Sequence, residues 1–287
     1  MSLDFGLNDV HVLITYVTPP NTNHKNHQLI THISGAAGGI GLETAKVFLQ
    51  LGARVTAHYN SKLGDLAHLS GKITAVQADV RNEDAVQKLF VQAAEKNSGQ
   101  AVSVLVVNHG VWPEKDAHVA DMDLKQWKNT IDVDLTGPFL LCREFLRALR
   151  GAGEEVKEKA NIIFVGSTAG KFGEAAHGDY AASKSALMYG LTPTLKNEIV
   201  HVAPKGRVNS VNPGWVATPL VEEVLNDEKF VERALATTPL QKVGRPRDVA
   251  NQIAVMASQT LSGHLSGVNL QVDGGMEGRL LYPPRLQ

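Results

Sequence analysis

The chain has 287 residues, with 28 Lys and Arg against 29 Asp and Glu, a formal net charge of −1 and a single cysteine. With 43% apolar and 20% charged residues it can bury a sizeable core and is not compositionally disordered. No Lys/Arg cluster stands ready to neutralise phosphates, which argues against a nucleic-acid partner. Cys142 cannot close an intrachain disulfide, and no window reaches the ~18 apolar residues of a membrane-spanning helix. Met1 to Val10 carries two Asp and no apolar core, unlike a signal or transit peptide. The expectation is a cytoplasmic protein with small-molecule partners and no membrane partner.

In chain order, His11–Thr15 (HVLIT) reads as a buried strand, but Tyr16–Gln28 interrupts it with Pro-Pro, several Asn and no acid. A second apolar run, Leu29–Ser34 (LITHIS), leads directly into glycines. From Gly35 onward, strand-like runs at Arg54–His58, Ile73–Asp79, Val102–Asn108, Asn161–Gly166, Arg207–Val211 and Val268–Val272 alternate with helical patterns. The helical patterns span Ile40–Leu51, Glu83–Glu95, Leu124–Arg150, Tyr180–Val202 and Pro246–Ser258. Gly52 stands where the first helix should stop, and Pro193 should kink the fourth. The alternation predicts an α/β fold, a single doubly wound Rossmann-type domain with a mostly parallel, roughly seven-stranded sheet flanked by helices.

Ser34–Gly41 reads SGAAGGIG. Glycines at 35, 39 and 41 let the backbone turn sharply out of a strand, and the amides of Gly39, Ile40 and Gly41 open a helix whose positive end suits a pyrophosphate. A purely structural tight turn is the other reading. Because such a turn follows its strand directly, Leu29–Ser34 is taken as the central strand, although this buries Thr31 and His32 at roughly 1–3 kcal/mol per unsatisfied group. Residues 1–28 then form an N-terminal extension, 29–276 the domain and 277–287 a tail. Keeping His11–Thr15 in the sheet instead leaves the turn on a long tether and weakens cofactor binding. His24, His27 and His32 have no carboxylate or thiol nearby, so no metal site is expected.

After the second strand, His58-Tyr59-Asn60-Ser61-Lys62 lacks the carboxylate that would read a free ribose hydroxyl. Tyr59, Asn60 and Ser61 favour a 2′-phosphate, so NADP(H) is preferred, with NAD(H) as the other cofactor; a solvated polar loop is the alternative. Asp79, with Val80 beside it, either meets the adenine amino group or serves as a helix-capping or loop residue.

Tyr180 and Lys184 share one helical face, where an ammonium favours phenolate and lowers the phenol pKa. Ser167 lies at the end of a predicted strand, thirteen residues before Tyr180, where its hydroxyl can hold a reacting oxygen. Trp112 and Trp215, at C-terminal strand ends, are candidate walls of an apolar substrate pocket together with Phe172 and His177; ordinary loop packing is the alternative.

From about Gly35 to Gly275 the chain resembles the classical short-chain dehydrogenase/reductase family. The glycine turn matches with Ser34 in place of Thr. Asn108-His109-Gly110 keeps the second Asn and the Gly of the family's Asn-Asn-Ala-Gly segment. Ser167, Tyr180 and Lys184 match the catalytic trio, Pro213-Gly214 the segment under the nicotinamide, and Asp273-Gly274-Gly275 the closing strand motif. The resemblance implies hydride transfer between a nicotinamide and a carbonyl or secondary alcohol. Tyr180 would be the general acid or base, Ser167 would polarise the substrate oxygen, Lys184 would hold the ribose, and Thr218 would bind the carboxamide. It also implies a homodimer or homotetramer packed through Leu135–Leu149 and Tyr180–Val202.

Two departures stand out. Asp134 replaces an Asn that supports a water relay to the lysine, which predicts an altered pH dependence; a structural Asp is the alternative. Tyr16–Ser34 intervenes between HVLIT and the turn, so a catalytically impaired homologue serving as a binding or structural subunit is the competing reading. Removing those nineteen residues restores the family's Thr-Gly and leaves 268. Thr15-Tyr16-Val17 can be encoded with a GTATGT donor and Ile33-Ser34 with an AG acceptor, as in a retained intron. Sequencing the mature message is expected to find a form lacking this segment, and its presence in every message rejects the intron reading.

Overall fold

The computed structural model describes residues 4–16, 39–113, 115–218 and 228–278, without the side chains of 230 and 233. The chain runs β1 (His11–Thr15), α1 (Ile40–Gln50), β2 (Arg54–Tyr59), β3 (Thr74–Gln77), α2 (Glu83–Glu95), β4 (Val104–Val107) and α3 (Leu124–Ile131). After α3, a π-helical segment (Asp132–Thr136) leads into α4 (Gly137–Arg150), followed by α5 (Glu154–Glu158), β5 (Asn161–Val165), α6 (Thr168–Phe172) and α7 (Gly178–Ser185). A second π-helical segment (Ala186–Leu191) joins α7 to α8 (Thr192–Glu198). Then come β6 (Arg207–Pro213), α9 (Glu228–Leu235), α10 (Pro246–Ala257), α11 (Gln259–Ser262) and β7 (Asn269–Val272).

The seven strands form one sheet in the order β3-β2-β1-β4-β5-β6-β7, with every pair parallel. Strand order reverses between β1 and β4, so the crevice beyond their carboxyl ends is where a doubly wound sheet takes its ligand. Central strands covered on both faces read as unbroken apolar runs, and Val104–Val107 is wholly buried. On one face β1 and α1 pack with α10, through Ile14, Phe48, Val55 and Ile253. On the other, α2, α4 and the α7–α8 stretch pack through Leu13, Leu89, Phe145 and Leu187. Among the described residues no helix is long and apolar enough to cross a membrane.

The central slot corrects the sequence expectation. It is held by His11–Thr15, in register with β2 and β4, and not by Leu29–Ser34, which lies outside the described residues. All five β1 side chains are buried. The single imidazole in the strand is satisfied: His11 Nδ1 donates to the Gln100 carbonyl at 2.8 Å, and Nε2 accepts from Thr56 Oγ1 at 2.8 Å. LITHIS carries three polar side chains, Thr31, His32 and Ser34, against the two of HVLIT, and strand quality outweighed proximity to the glycines. Residues 4–16 therefore belong with the sheet, which moves the start of the domain ahead of residue 29.

Both long helices pass through a π segment just before a proline, Pro138 and Pro193. The expected kink at Pro193 is realised as this widened turn, and the Thr192 hydroxyl donates to the Leu187 carbonyl at 2.8 Å. The helix end expected at Gly52 is present, with φ +79°.

Leu13 is fully buried in the central strand. Leu13→Ala should cost about 2–5 kcal/mol in urea unfolding. A loss below about 1 kcal/mol would remove His11–Thr15 from the central slot.

Candidate active site

Thr15 ends β1 and ties its tip to the loop after β4. With His109 Nε2 donating to the Val133 carbonyl at 3.0 Å, Nδ1 is left to accept from the Thr15 hydroxyl at 2.8 Å. Thr15 Oγ1 also accepts from the Asn108 amide at 3.1 Å, and Asn108 Nδ2 donates to the Thr15 carbonyl at 3.3 Å. Burial pushes His109 down to about 3, so its imidazole is neutral at physiological pH.

The π segment turns Asp134 inward, fully buried. Its Oδ1 accepts from the Val111 amide at 2.7 Å, while Oδ2 has no hydrogen-bond partner. Burial raises this carboxyl to about 7, against the opposing pull of Lys184 and the Val111 amide. Asp134 thus holds its proton to higher pH than an ordinary carboxyl. Lys184, also buried, gives one N–H to the Val165 carbonyl at 3.2 Å. A Cβ added at Gly110 would lie 3.0 Å from Lys184 Nζ and 3.3 Å from Asp134 Oδ2, so glycine leaves a cradle between these groups.

α7 presents Tyr180 and Lys184 on one face, with the ammonium 5.5 Å from the phenol ring centroid. The Ser167 hydroxyl accepts from the Ala169 amide at 3.1 Å and lies close enough to Tyr180 to favour its phenolate. The electrostatic expectation is corrected here: Tyr180 is raised above its ordinary value, not lowered. Burial is the leading cause, and the negative charges of Asp134 and Glu174 add to it. Lys184 is itself pushed down by burial. In the free chain Tyr180 is a phenol.

Sequence reasoning missed Asp179, whose position in a first helical turn next to Tyr180 was a usable signal. It is buried, accepting from the Tyr180 amide at 2.9 Å and from the Thr130 hydroxyl at 2.8 Å, and so fastens α7 to α3. Thr15 and His109 were missed as well, because their partners lie about ninety residues away in sequence.

Of the predicted pocket walls, Trp112 meets Tyr180, with ring centroids 4.8 Å apart and planes at 73°, and stacks on His177 at 3.8 Å and 21°. The Trp215 carbonyl accepts from the Gly244 amide at 2.8 Å on the loop leaving β6. Phe172 stands exposed at the end of α6, with Lys171 over its ring.

The proposed cofactor residues line the carboxyl edge of the sheet. Pro213 ends β6, and the Gly214 amide donates to the Val272 carbonyl at 3.2 Å. Tyr59 ends β2, the Asn60 carbonyl accepts from Gln77, and Ser61 and Lys62 face solvent. Val80 is buried. Asp79 is held low chiefly by Arg81, which bonds both of its oxygens, while Asn82 caps α2 in its place. Gly35 lies outside the described residues. Gly39 caps α1 without a side-chain bond, and a Cβ there would touch Thr218 at 3.4 Å. The space a Cβ would need at Gly41 is filled by Asn108 Nδ2 and the ring of Tyr16, each 2.6 Å from that point. Tyr16 is fully buried and its hydroxyl donates to the Gly41 carbonyl at 3.0 Å. Its amide donates to His58 Nδ1 at 3.3 Å; burial pushes this imidazole down to about 4. The donor set and the Gly110 cradle fit the nicotinamide half of a dinucleotide, whereas Tyr16 packs beside Gly41, the last glycine of SGAAGGIG.

Residues 35–277 match the family model described as Enoyl-(Acyl carrier protein) reductase. The chain is 32% identical over 253 residues to a 3-oxoacyl-[acyl-carrier-protein] reductase of Synechocystis sp., covering 85% of this chain and 95% of that protein. It is also 32% identical over 255 residues to the cis-4-hydroxycyclohexanecarboxylate dehydrogenase of Sinomonas cyclohexanicum, covering 85% and 94%. A solved short-chain dehydrogenase/reductase from Brucella melitensis, titled glucose/ribitol dehydrogenase, superposes with a TM-score of 0.78 at 28% identity, covering 96% of this chain and 99% of that one.

Asp134 makes stability depend on pH. Its folded-state value, about 7, stands above the ordinary carboxylate value near 4. Between those two values the folded chain keeps a proton that the unfolded chain releases, so this residue's contribution falls as pH rises, by up to about 1.4 kcal/mol per pH unit. Asp134→Asn lacks that slope. Its stability relative to the parent should rise from about pH 5 to about pH 7 and then level off in urea unfolding; a flat difference rejects the assignment.

Proposed function

The chain belongs to the short-chain dehydrogenase/reductase family, and from that premise we propose that it is an NADP(H)-dependent oxidoreductase acting between a carbonyl and a secondary alcohol. The observation that carries this reading is the contact of Ser167, Tyr180 and Lys184 at the carboxyl edge of the sheet. When bound, the nicotinamide supplies or accepts hydride. Tyr180 gives its phenolic proton to the developing alkoxide in reduction and takes a proton back in oxidation. Ser167 orients the substrate oxygen. Lys184, with Asn108 and the Gly110 cradle, would hold the nicotinamide ribose, and Asp134 positions the lysine.

Pro213, Gly214 and Thr218 would receive the nicotinamide, Asp79 and Val80 the adenine, and the amides of Gly39, Ile40 and Gly41, with Gly35, the pyrophosphate. The absence of a carboxylate after β2, with Tyr59, Asn60 and Ser61 in its place, supports the phosphorylated dinucleotide over NAD(H). Trp112 and Trp215 would border the substrate. Phe139 and Tyr189, exposed on α4 and in the π segment after α7, support a homodimer or homotetramer.

The Tyr16 ring favours a second reading, in which the chain is an impaired homologue acting as a binding or structural subunit. Thermal unfolding with NADPH, NADH or buffer separates the two. A nucleotide at 100 times its dissociation constant stabilises by about 2.7 kcal/mol. The enzyme reading expects a shift with the full chain, larger with NADPH. A shift seen only after deletion of Tyr16–Ser34 selects the second reading. In turnover assays with 3-oxoacyl esters and cyclic or aromatic ketones, Tyr180→Phe should lose at least about 100-fold in kcat. Near-normal activity of that variant rejects the assignment.

A further inference from the structure

The loop leaving β4 is pinned on both sides of Trp112. Before it, the Val111 amide donates to Asp134 and the Val111 side chain packs on Val133. After it, the Pro113 carbonyl accepts from His177 Nε2 at 3.1 Å, and the Ala117 amide donates to the Ala176 carbonyl at 3.1 Å in a parallel bridge that pairs Ala117 with His177. Anchors on each side leave the indole little freedom, and both of its ring partners come from the start of α7. His177, buried one residue before that helix, stacks on it, and Tyr180, three residues later, meets it edge-on. Phenol rings rotate about χ1 and χ2, and a hydroxyl near the end of that lever moves by ångströms when the ring swings. The Trp112 indole bears edge-on against the Tyr180 ring, and Lys184 Nζ lies 5.5 Å from its centroid.

We propose that Trp112, backed by His177, is a positioning residue that fixes the ring of Tyr180 so that its hydroxyl faces the substrate oxygen. The proposal rests on the proton-donor role given to Tyr180 above. It differs from the pocket-wall role in its kinetic consequence: a wall changes substrate affinity, whereas a ring clamp changes the fraction of bound complexes with a correctly aimed proton and lowers kcat. An edge-to-face aromatic contact is of a size to alter a rate by about tenfold.

The test compares Trp112→Leu, which keeps apolar bulk and loses the ring, with Trp112→Phe, which keeps a ring. The assay uses NADPH and ethyl acetoacetate, and the dissociation constant for NADPH is followed by thermal shift. Trp112→Leu should lose about tenfold in kcat, with the KM for the ester and the nucleotide affinity within about threefold of the parent; Trp112→Phe should recover most of the loss. A second readout needs no turnover. In chains labelled with 3-fluorotyrosine, the fluorine resonance of residue 180, assigned by its loss in Tyr180→Phe, should shift in Trp112→Leu because the indole ring current is gone. It should also broaden or split as the ring samples other rotamers, while Trp112→Phe keeps one narrow line.

An unchanged line width with unchanged kcat overturns the proposal, as does a loss confined to KM or an equal loss in both variants. If the parent turns over neither the ester nor any other carbonyl, the functional reading fails while the fluorine spectra still decide the clamp.

Discussion

The site is organised by the point where the sheet reverses its winding. There the tips of β1 and β4 must be held together, because every group of the proposed chemistry is placed relative to the gap beyond them. A single hydroxyl, that of Thr15, makes this junction by accepting from the Asn108 amide and donating to His109, which in turn reaches Val133 in the π segment. The chain of bonds continues through Asp134 to the Val111 amide and so to the loop bearing Trp112. Buried donors and acceptors are costly when unmatched, so such a relay has few alternative arrangements. That accounts for a neutral histidine in a buried position.

Around this junction the ionisable groups are in tension. Lys184 and Asp134 are buried and Tyr180 is half-buried, and each shifts toward its uncharged form. Burial is the leading cause in every case, and the attraction between Asp134 and Lys184 offsets it only in part. The unpartnered Asp134 Oδ2 marks where compensation is incomplete. A site in this condition holds Tyr180 as a neutral phenol in the free chain. Asp134 comes to this position from the middle of the π segment Asp132–Thr136.

Much of this was legible in the sequence, for identifiable reasons. Alternating apolar runs and helical periods located six strands and five helical stretches, because a parallel sheet covered on both faces imposes composition on every strand. Tyr180, Lys184 and Ser167 were legible because a four-residue helical spacing and a strand end convert directly into proximity. The first strand was not. LITHIS won on adjacency to the glycines, while the deciding quantity, complete burial of HVLIT with its imidazole satisfied by Gln100 and Thr56, depends on partners that only the folded chain brings near. The direction of the Tyr180 shift was misjudged for a related reason: spacing reveals a neighbouring charge but not the loss of water. Asp179 and His109 act through contacts between distant segments, which no local pattern reports.

The two halves of the crevice differ in how they meet the demands of a dinucleotide. At the Tyr180 end, Gly110 leaves room beside Lys184 and Asp134 that a side chain would fill. At the other end, twenty-four residues separate Thr15 from Ile40, where a βα connection commonly has about two to six. With the chain leaving β1 through a bulky residue, the ring of Tyr16 settles in the core against the first turn of α1, and the Gly41 carbonyl and His58 satisfy its polar atoms. This burial stabilises α1 against the sheet without help from a ligand. A glycine in that position would leave the space for a backbone turn, so the same contact that secures the helix competes with the tight connection that pyrophosphate binding requires. On the proposed function, cofactor affinity would therefore depend on the free energy of keeping the Tyr16 ring where it now packs as well as on the groups around Tyr180.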